Sequence, residues 1–275
     1  MAPPDDLAAL FDRLLPPRTA PERDLDPVAI DRAEALARPL ALYFRTEVEG
    51  IERLPEGGAL LVSNHGPMGF DAVELVFGVY RRTRRLPRAL VERTAFRVPA
   101  LKLLLERLGH VAGTPDNAVA LLRRGDLVLV YPGGAREAFK GSAGRYRLAW
   151  SKSTGFVRVA LRAGVPIVPV AGVGVDDYYD VVAEPEEVAR SPLGRLLVTL
   201  LGHEKYAPPG LRGVGPLPRP AQLTFVVGEP LRPDAPPEAA DDTALVARLH
   251  ADVKDRLERL LLTGLIRRAP PPPGS

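Results

Sequence analysis

Two periodicities alternate along this chain. From Pro27 to Leu42, apolar residues at Ile30, Ala33, Leu36, Ala37 and Leu40 recur at helical spacing, and the segment closes on the aromatic pair Tyr43 and Phe44. Thr46 to Ile51 then reads as a strand, Pro55-Glu56-Gly57-Gly58 as a turn, and Ala59 to Ser63 as a buried strand. The pattern continues with a helix over Asp71 to Tyr80 and a short strand over Pro87 to Val91. An amphipathic helix follows, with Leu101, Leu104, Leu105 and Leu108 at i, i+3, i+4 and i+7.

The next unit carries its own stop signals. Thr114 suits an N-cap, Pro115 the first helical position, Asp116 the positive helix end and Gly125 the residue past the C-terminus, so Thr114 to Arg124 is expected to be a helix. It feeds a buried strand, Leu127 to Tyr131, and a glycine-rich loop from Pro132 to Gly144. A helix from Gly155 to Ala163 closed by Gly164 follows, then a second buried strand, Pro166 to Ala171. Gln222 to Val227 adds a strand, and a last helix runs from an Asp242 cap to a Gly264 stop with Leu245, Leu249, Val253, Leu257 and Leu261 along one seam. This alternation predicts an α/β layered fold with a mixed, largely parallel central sheet flanked by helices. Residues 1–26 and 269–275 are proline-rich and read as tails, the first with a short possible helix at Leu7 to Leu15. Residues 27–268 then form one domain.

Composition narrows the function classes. The chain has no cysteine, and its four histidines, His65, His110, His203 and His250, lie far apart, so neither a thiolate site nor a helical His pair is available and no metal is expected. A net charge of +3 is too weak an excess to imply nucleic acid. The densest basic run, Arg81, Arg82, Arg84 and Arg85, is either a solvated surface or a site for phosphate or anionic lipid. The N-terminus has no basic stretch followed by an apolar one, and no apolar run approaches the ~20 residues that span a bilayer; Leu196 to Leu201 is among the longest. The expectation is therefore a cytoplasmic protein whose membrane contact is peripheral.

Two loops carry candidate chemistry. In Ser63-Asn64-His65-Gly66-Pro67-Met68-Gly69-Phe70-Asp71 an imidazole sits at the C-terminal end of a buried strand and a carboxylate opens the next helix. That edge is where open α/β sheets form ligand crevices. Asp71 can orient His65 as a general base, or it can simply cap the helix in an Asp-x-x-Glu box with Glu74. The second loop, Tyr131-Pro132-Gly133-Gly134-Ala135-Arg136-Glu137, offers backbone N–H groups at adjacent glycines and a planar guanidinium for phosphate or carboxylate, or is only a turn. A serine hydrolase is disfavoured because no Gly-x-Ser-x-Gly elbow occurs.

In order, Asn-His-x5-Asp, the Gly-Thr-Pro-Asp-Asn helix start, Tyr-Pro-Gly-Gly-Ala-Arg-Glu and Val165-Pro166-Ile167-Val168-Pro169-Val170 resemble the four motif blocks of the lysophospholipid acyltransferase (PlsC-like) superfamily, over Val48 to Val175. The resemblance implies a glycerol-3-phosphate acyltransferase-like fold, with His65 as base and Asp71 as its partner. Asn64, Gly66, Pro132, Gly133, Gly134, Arg136 and Glu137 would bind substrate. It also implies acyl-CoA or acyl-carrier protein as co-substrate, with no cofactor, and a lysophospholipid, glycerolipid or other lipid alcohol as acceptor. Three departures bear on the acceptor. The His-x5-Asp spacing is one residue longer than the usual His-x4-Asp, similar to a branch that includes diacylglycerol acyltransferase-like proteins. Gly133 stands where the family's acidic residue stands, and the second block, His110 to Asn117, has no arginine for an acceptor phosphate. A neutral lipid hydroxyl thus becomes plausible. The alternative is a non-catalytic lipid-binding or membrane-docking module on the same fold. The helix ending at Tyr43 and Phe44, the Leu101 to Leu108 face and the Arg81 to Arg85 run are the candidate membrane contacts. Oligomeric state is not legible.

Overall fold

The computed structural model describes residues 25–97, 99–150, 153–192, 194–195, 208–214 and 217–268. The expected Leu7 to Leu15 helix, the C-terminal tail, the Leu196 to Leu201 run and His203 lie outside the described residues, as does the first tail up to residue 24.

A seven-stranded sheet forms the centre. Its strands are β1 (Glu47–Glu49), β2 (Ala59–Ser63), β3 (Arg88–Val91), β4 (Val111–Ala112), β5 (Leu127–Val130), β6 (Ile167–Val173) and β9 (Thr224–Val227); β7 (Asp180–Ala183) and β8 (Gly210–Arg212) pair separately as an antiparallel ribbon. The order is β1-β9-β6-β2-β5-β3-β4. Strand β2 lies between β5 and β6 and is parallel to both, while β9 runs antiparallel to β6 and carries β1 parallel beside it. The expected mixed, mostly parallel sheet is therefore present. Every residue of β2 and β6 is buried because helices cover both faces, which is why their sequences run apolar without alternation.

On one face pack α4 (Pro115–Arg123), α6 (Gly155–Ala163) and α8 (Thr243–Arg267), enclosing Trp150, Leu121 and Val253. On the other face α1 (Pro27–Tyr43) and α2 (Phe70–Thr83) close over Phe44, Leu61, Tyr178 and Phe225. The short helices α3 (Pro99–Arg107), α5 (Ala135–Ala138) and α7 (Pro185–Arg190) lie between strands. Thr114 caps α4 as expected, its Oγ1 accepting from the Asn117 N–H at 3.2 Å, a cap worth about 1 kcal/mol. Gly164 closes α6 with a φ of 68°.

Four local readings differ from the sequence pattern. The tail gives way to structure before Pro27: Asp26 Oδ1 caps α1 by accepting from Val28 N–H at 3.0 Å and Ala29 N–H at 3.2 Å. Leu36 is off the buried stripe of α1, 83% exposed, because it lies about 120° round the helix from buried Ile30. Gly264 does not stop α8, which runs on to Arg267; a Cβ there would lie 2.5 Å from Val173 Cγ2, so glycine permits close packing on β6. The basic run is largely committed internally: Arg81 meets Glu34 at 3.4 Å, Arg84 meets Asp31 at 2.9 Å, and Arg85 donates to the carbonyls of Pro55 and Gly57 at 2.6 and 2.7 Å.

Candidate active site

Strand β2 delivers Asn64 and His65 to the C-terminal edge of the sheet beside β6. Asn64 is buried, and both its polar atoms are spent on β6: Nδ2 donates to the Gly172 carbonyl at 2.9 Å and Oδ1 accepts from the Gly172 N–H at 2.7 Å. Its side chain thus ties the two strands together. Beyond His65 the chain turns through Gly66 to Gly69, with φ of 63° at Met68 and 77° at Gly69. Helix α2 starts directly after that turn.

The turn brings Asp71 in the first turn of α2 against the imidazole. His65 Nδ1 lies 2.8 Å from Asp71 Oδ2, which fixes the proton on Nδ1 and leaves Nε2 as the basic nitrogen. No capping box forms: Gly69 is the N-cap without a side-chain bond, Asp71 lies inside the helix, and Glu74 Oε2 accepts from Thr46 Oγ1 at 2.6 Å. Asp71 is fully buried, so its other oxygen also needs company. The Tyr178 hydroxyl supplies it, its one proton shared between Asp71 Oδ1 at 3.3 Å and the Pro67 carbonyl at 2.7 Å. Gly66 makes room for this contact, since a Cβ would fall 2.5 Å from the Tyr178 hydroxyl and 2.4 Å from the Val175 carbonyl.

Burial pushes the His65 pKa down, but the charge and hydrogen bond of Asp71 push it up by more, so the net position is above the ordinary 6.5. Tyr131 lies face to face with the imidazole, ring centroids 4.1 Å apart and 19° from parallel. The Tyr131 hydroxyl is buried close to Asp71; burial first, and the charge and hydrogen bonding of Asp71 after it, hold it well above its usual range.

The second loop folds onto the first. Gly134 N–H donates to the Tyr131 carbonyl at 3.0 Å, and Gly134 adopts φ 52°, ψ −139°, which an L side chain strongly resists. Helix α5 then turns Glu137 inward, fully buried, where Oε1 accepts from the His65 main-chain N–H at 3.3 Å. Burial drives this carboxyl up to about 7, with Lys140 pulling the other way. Pro132, Gly133 and Gly134 are half-buried beside it, whereas Arg136 is exposed and makes no ion pair with a described residue. A cavity of ≈ 280 Å³ opens beside the two loops, touching Pro67 and Ala138 and lined by Lys140, Arg145, Tyr179 and Arg212.

Two further histidines serve the fold. His110 is buried, its Nδ1 accepting from the Ala89 N–H at 3.1 Å, and burial lowers its pKa to about 4. His250 packs against Trp150 and Phe156. Among the described residues no cluster of three or more His, Cys, Asp or Glu side chains could hold a metal. Ser142 donates to Glu184, and Ser63 to the Asn64 carbonyl, so neither serine is bonded to His65. Sequence reasoning assigned no role to Tyr131 and passed over Tyr178. The available signal was position: Tyr131 directly follows β5, and the Tyr178-Tyr179 pair follows β6 at the same sheet edge.

The Acyltransferase family model matches residues 45–173, the span that holds both loops. The chain is 30% identical over 275 residues to an uncharacterized protein of Mycobacterium tuberculosis, covering 94% of this chain and 75% of that one. It is 28% identical over 232 residues to the human DGAT1/2-independent enzyme synthesizing storage lipids, covering 83% of this chain and 67% of that one. In fold it is similar to the 1-acyl-sn-glycerophosphate (LPA) acyltransferase PlsC of Thermotoga maritima, with a TM-score of 0.54, 16% identity, and coverage of 86% of this chain and 80% of that one. The chain thus belongs to the Acyltransferase family, and its likeness to PlsC is one of fold.

Proposed function

We propose that the protein transfers a fatty acyl group from a thioester, acyl-CoA or acyl-carrier protein, to the hydroxyl of a lysophospholipid, glycerolipid or other lipid alcohol. The observation that carries this reading is the 2.8 Å contact between His65 Nδ1 and a fully buried Asp71, which leaves Nε2 as a base. Nε2 takes the proton of the acceptor hydroxyl as its oxygen bonds to the thioester carbonyl carbon. The tetrahedral intermediate collapses with loss of the C–S bond, and His65 returns the proton to the thiolate. No serine nucleophile is needed because the acceptor supplies its own oxygen. Gly133 and Gly134 are assigned to the reacting carbonyl, and exposed Arg136 to a donor or acceptor anion.

A neutral acceptor is favoured. His110 to Asn117 contain no arginine to meet an acceptor phosphate, and the human relative is named for storage-lipid synthesis. Membrane docking is assigned to α3, where Leu101, Leu103 and Leu104 are 38%, 52% and 50% exposed. No helix among the described residues is long and apolar enough to cross a membrane, so docking is peripheral in this reading. The test gives the purified protein radiolabelled acyl-CoA or acyl-carrier protein with monoacylglycerol, diacylglycerol and lysophosphatidate in mixed vesicles. Labelled product is expected, largest with a neutral alcohol. Vesicle binding with no acyl product from any pair would instead support a non-catalytic lipid-binding module.

A further inference from the structure

We infer that Glu137 is a positioning residue: its carboxyl clamps the His65 main chain from the facing loop and so sets where the imidazole stands. This deepens the acyl-transfer reading, because the clamp has catalytic meaning only if His65 is the base. The geometry of the clamp stands independently of that reading.

Three observations carry it. First, the one side-chain hydrogen bond of Glu137 among the described residues is Oε1 accepting from the His65 N–H at 3.3 Å, a contact across 72 residues that joins the His65 and Gly133-Gly134 loops. Second, Oε2 is buried with no partner among the described residues. A carboxylate has about four acceptor sites and seldom survives full burial with one filled. No cation lies within ion-pair distance of Glu137 among the described residues. The nearest candidate, Lys140, pairs with Asp176 at 2.9 Å. The charged groups facing the carboxyl are His65, Lys140 and Asp176, and their effects partly cancel against a burial that favours the acid. Third, the space for this carboxyl is built in: a Cβ at position 133 would stand 2.1 Å from Glu137 Oε2 and 2.5 Å from its Cβ. Glycine at 133 and glutamate at 137 therefore depend on one another.

Such a residue touches no reacting atom. It acts by holding His65 at the end of β2, where β2 pairing has stopped and the next restraint is the Asn64 clamp on Gly172. A glutamine at 137 reproduces the arrangement, since its carbonyl oxygen accepts the His65 N–H and its amide fills the place of the acid hydroxyl. An ionised, substrate-binding glutamate would not be replaced by glutamine.

Hydrogen exchange at the His65 amide, read by NMR on protein labelled with ¹⁵N-histidine, decides the matter without any assay of activity. Exchange is expected to be at least about tenfold faster in Glu137→Ala than in wild type, and to stay near wild type in Glu137→Gln. Should the alanine variant fail to fold, Glu137→Asp, too short to reach His65, takes its place. In acyl transfer, Glu137→Ala is expected to lower kcat about 100-fold with little change in KM, and Glu137→Gln to recover at least about tenfold of that. Unchanged His65 exchange in the alanine variant, or a glutamine variant as poor as alanine, overturns the proposal. Absence of acyl transfer in wild type would sink the proposed reaction and leave the exchange result to judge the clamp alone.

Discussion

Tyr131 covers one face of the His65 imidazole, the ring centroids 4.1 Å apart, and its buried hydroxyl lies near Asp71. The stacked ring restricts rotation of the histidine that Asp71 orients from the edge. Tyr131→Phe keeps the ring and is expected to turn over close to wild type, whereas Tyr131→Ala removes it and is expected to lower kcat about tenfold. Steady-state turnover of both variants measures this; an alanine variant as active as wild type would mean the ring does not hold the imidazole.

Asp71→Asn removes the charge that holds the His65 pKa above 6.5 and leaves the opposing burial in place. Neutral His65 is the active form, so in wild type kcat/KM should rise with pH through a midpoint above 6.5. In the asparagine variant that midpoint should move below 6.5, and the plateau should fall about 10³-fold or more, as for triads whose orienting carboxylate is lost. A pH–rate profile of both proteins checks this, and an unmoved midpoint would separate Asp71 from His65.

Glu137 ties stability to pH in an unusual direction. Its native pKa near 7 lies above the ordinary 4.5, so between those values the folded protein holds a proton that the unfolded chain has released. Stability from this group is therefore full below pH 4.5 and lost as pH rises through about 7, a change on the order of 3 kcal/mol at most. Glu137→Gln deletes the titration. Chemical denaturation at pH 5 and pH 8 should show the glutamine variant gaining on wild type at the higher pH, and a constant gap would contradict the assignment.

Much of this was legible in the sequence. The apolar runs at Ala59 to Ser63 and Pro166 to Ala171 marked the buried parallel strands, and the signals at Thr114, Pro115 and Gly164 marked helix ends, because these depend on local chemistry. His65 and Asp71 were legible as a pair because a tight loop joins them. Tyr178 was not: it meets Asp71 across 107 residues, a contact that exists only once β2 and β6 pair. The contacts of Asn64 with Gly172 and of Glu137 with the His65 main chain were not legible either, since nothing in residue type distinguishes a side chain aimed at a ligand from one that bonds a distant backbone. Gly264 and Asp71 with Glu74 carried true local signals for a stop and a cap, and tertiary packing overrode both.

The face of α3 that leaves Leu103 and Leu104 half-exposed gives a separable prediction for membrane contact. Leu103→Ser with Leu104→Ser should leave the unfolding midpoint nearly unchanged, because little buried area is lost. Binding to phospholipid vesicles should weaken at least about tenfold, given roughly 1.5–3 kcal/mol for each leucine fully withdrawn from water. Sedimentation with vesicles reads the effect, and unaltered binding would move the docking surface elsewhere.

The most direct test of the whole account is the turnover of His65→Ala. With saturating acyl thioester and lipid alcohol, removal of the base should lower kcat by about 10²–10⁴ while vesicle binding and the unfolding midpoint stay close to wild type. Acyl product formed by His65→Ala at the wild-type rate would contradict the assignment of His65 as the base.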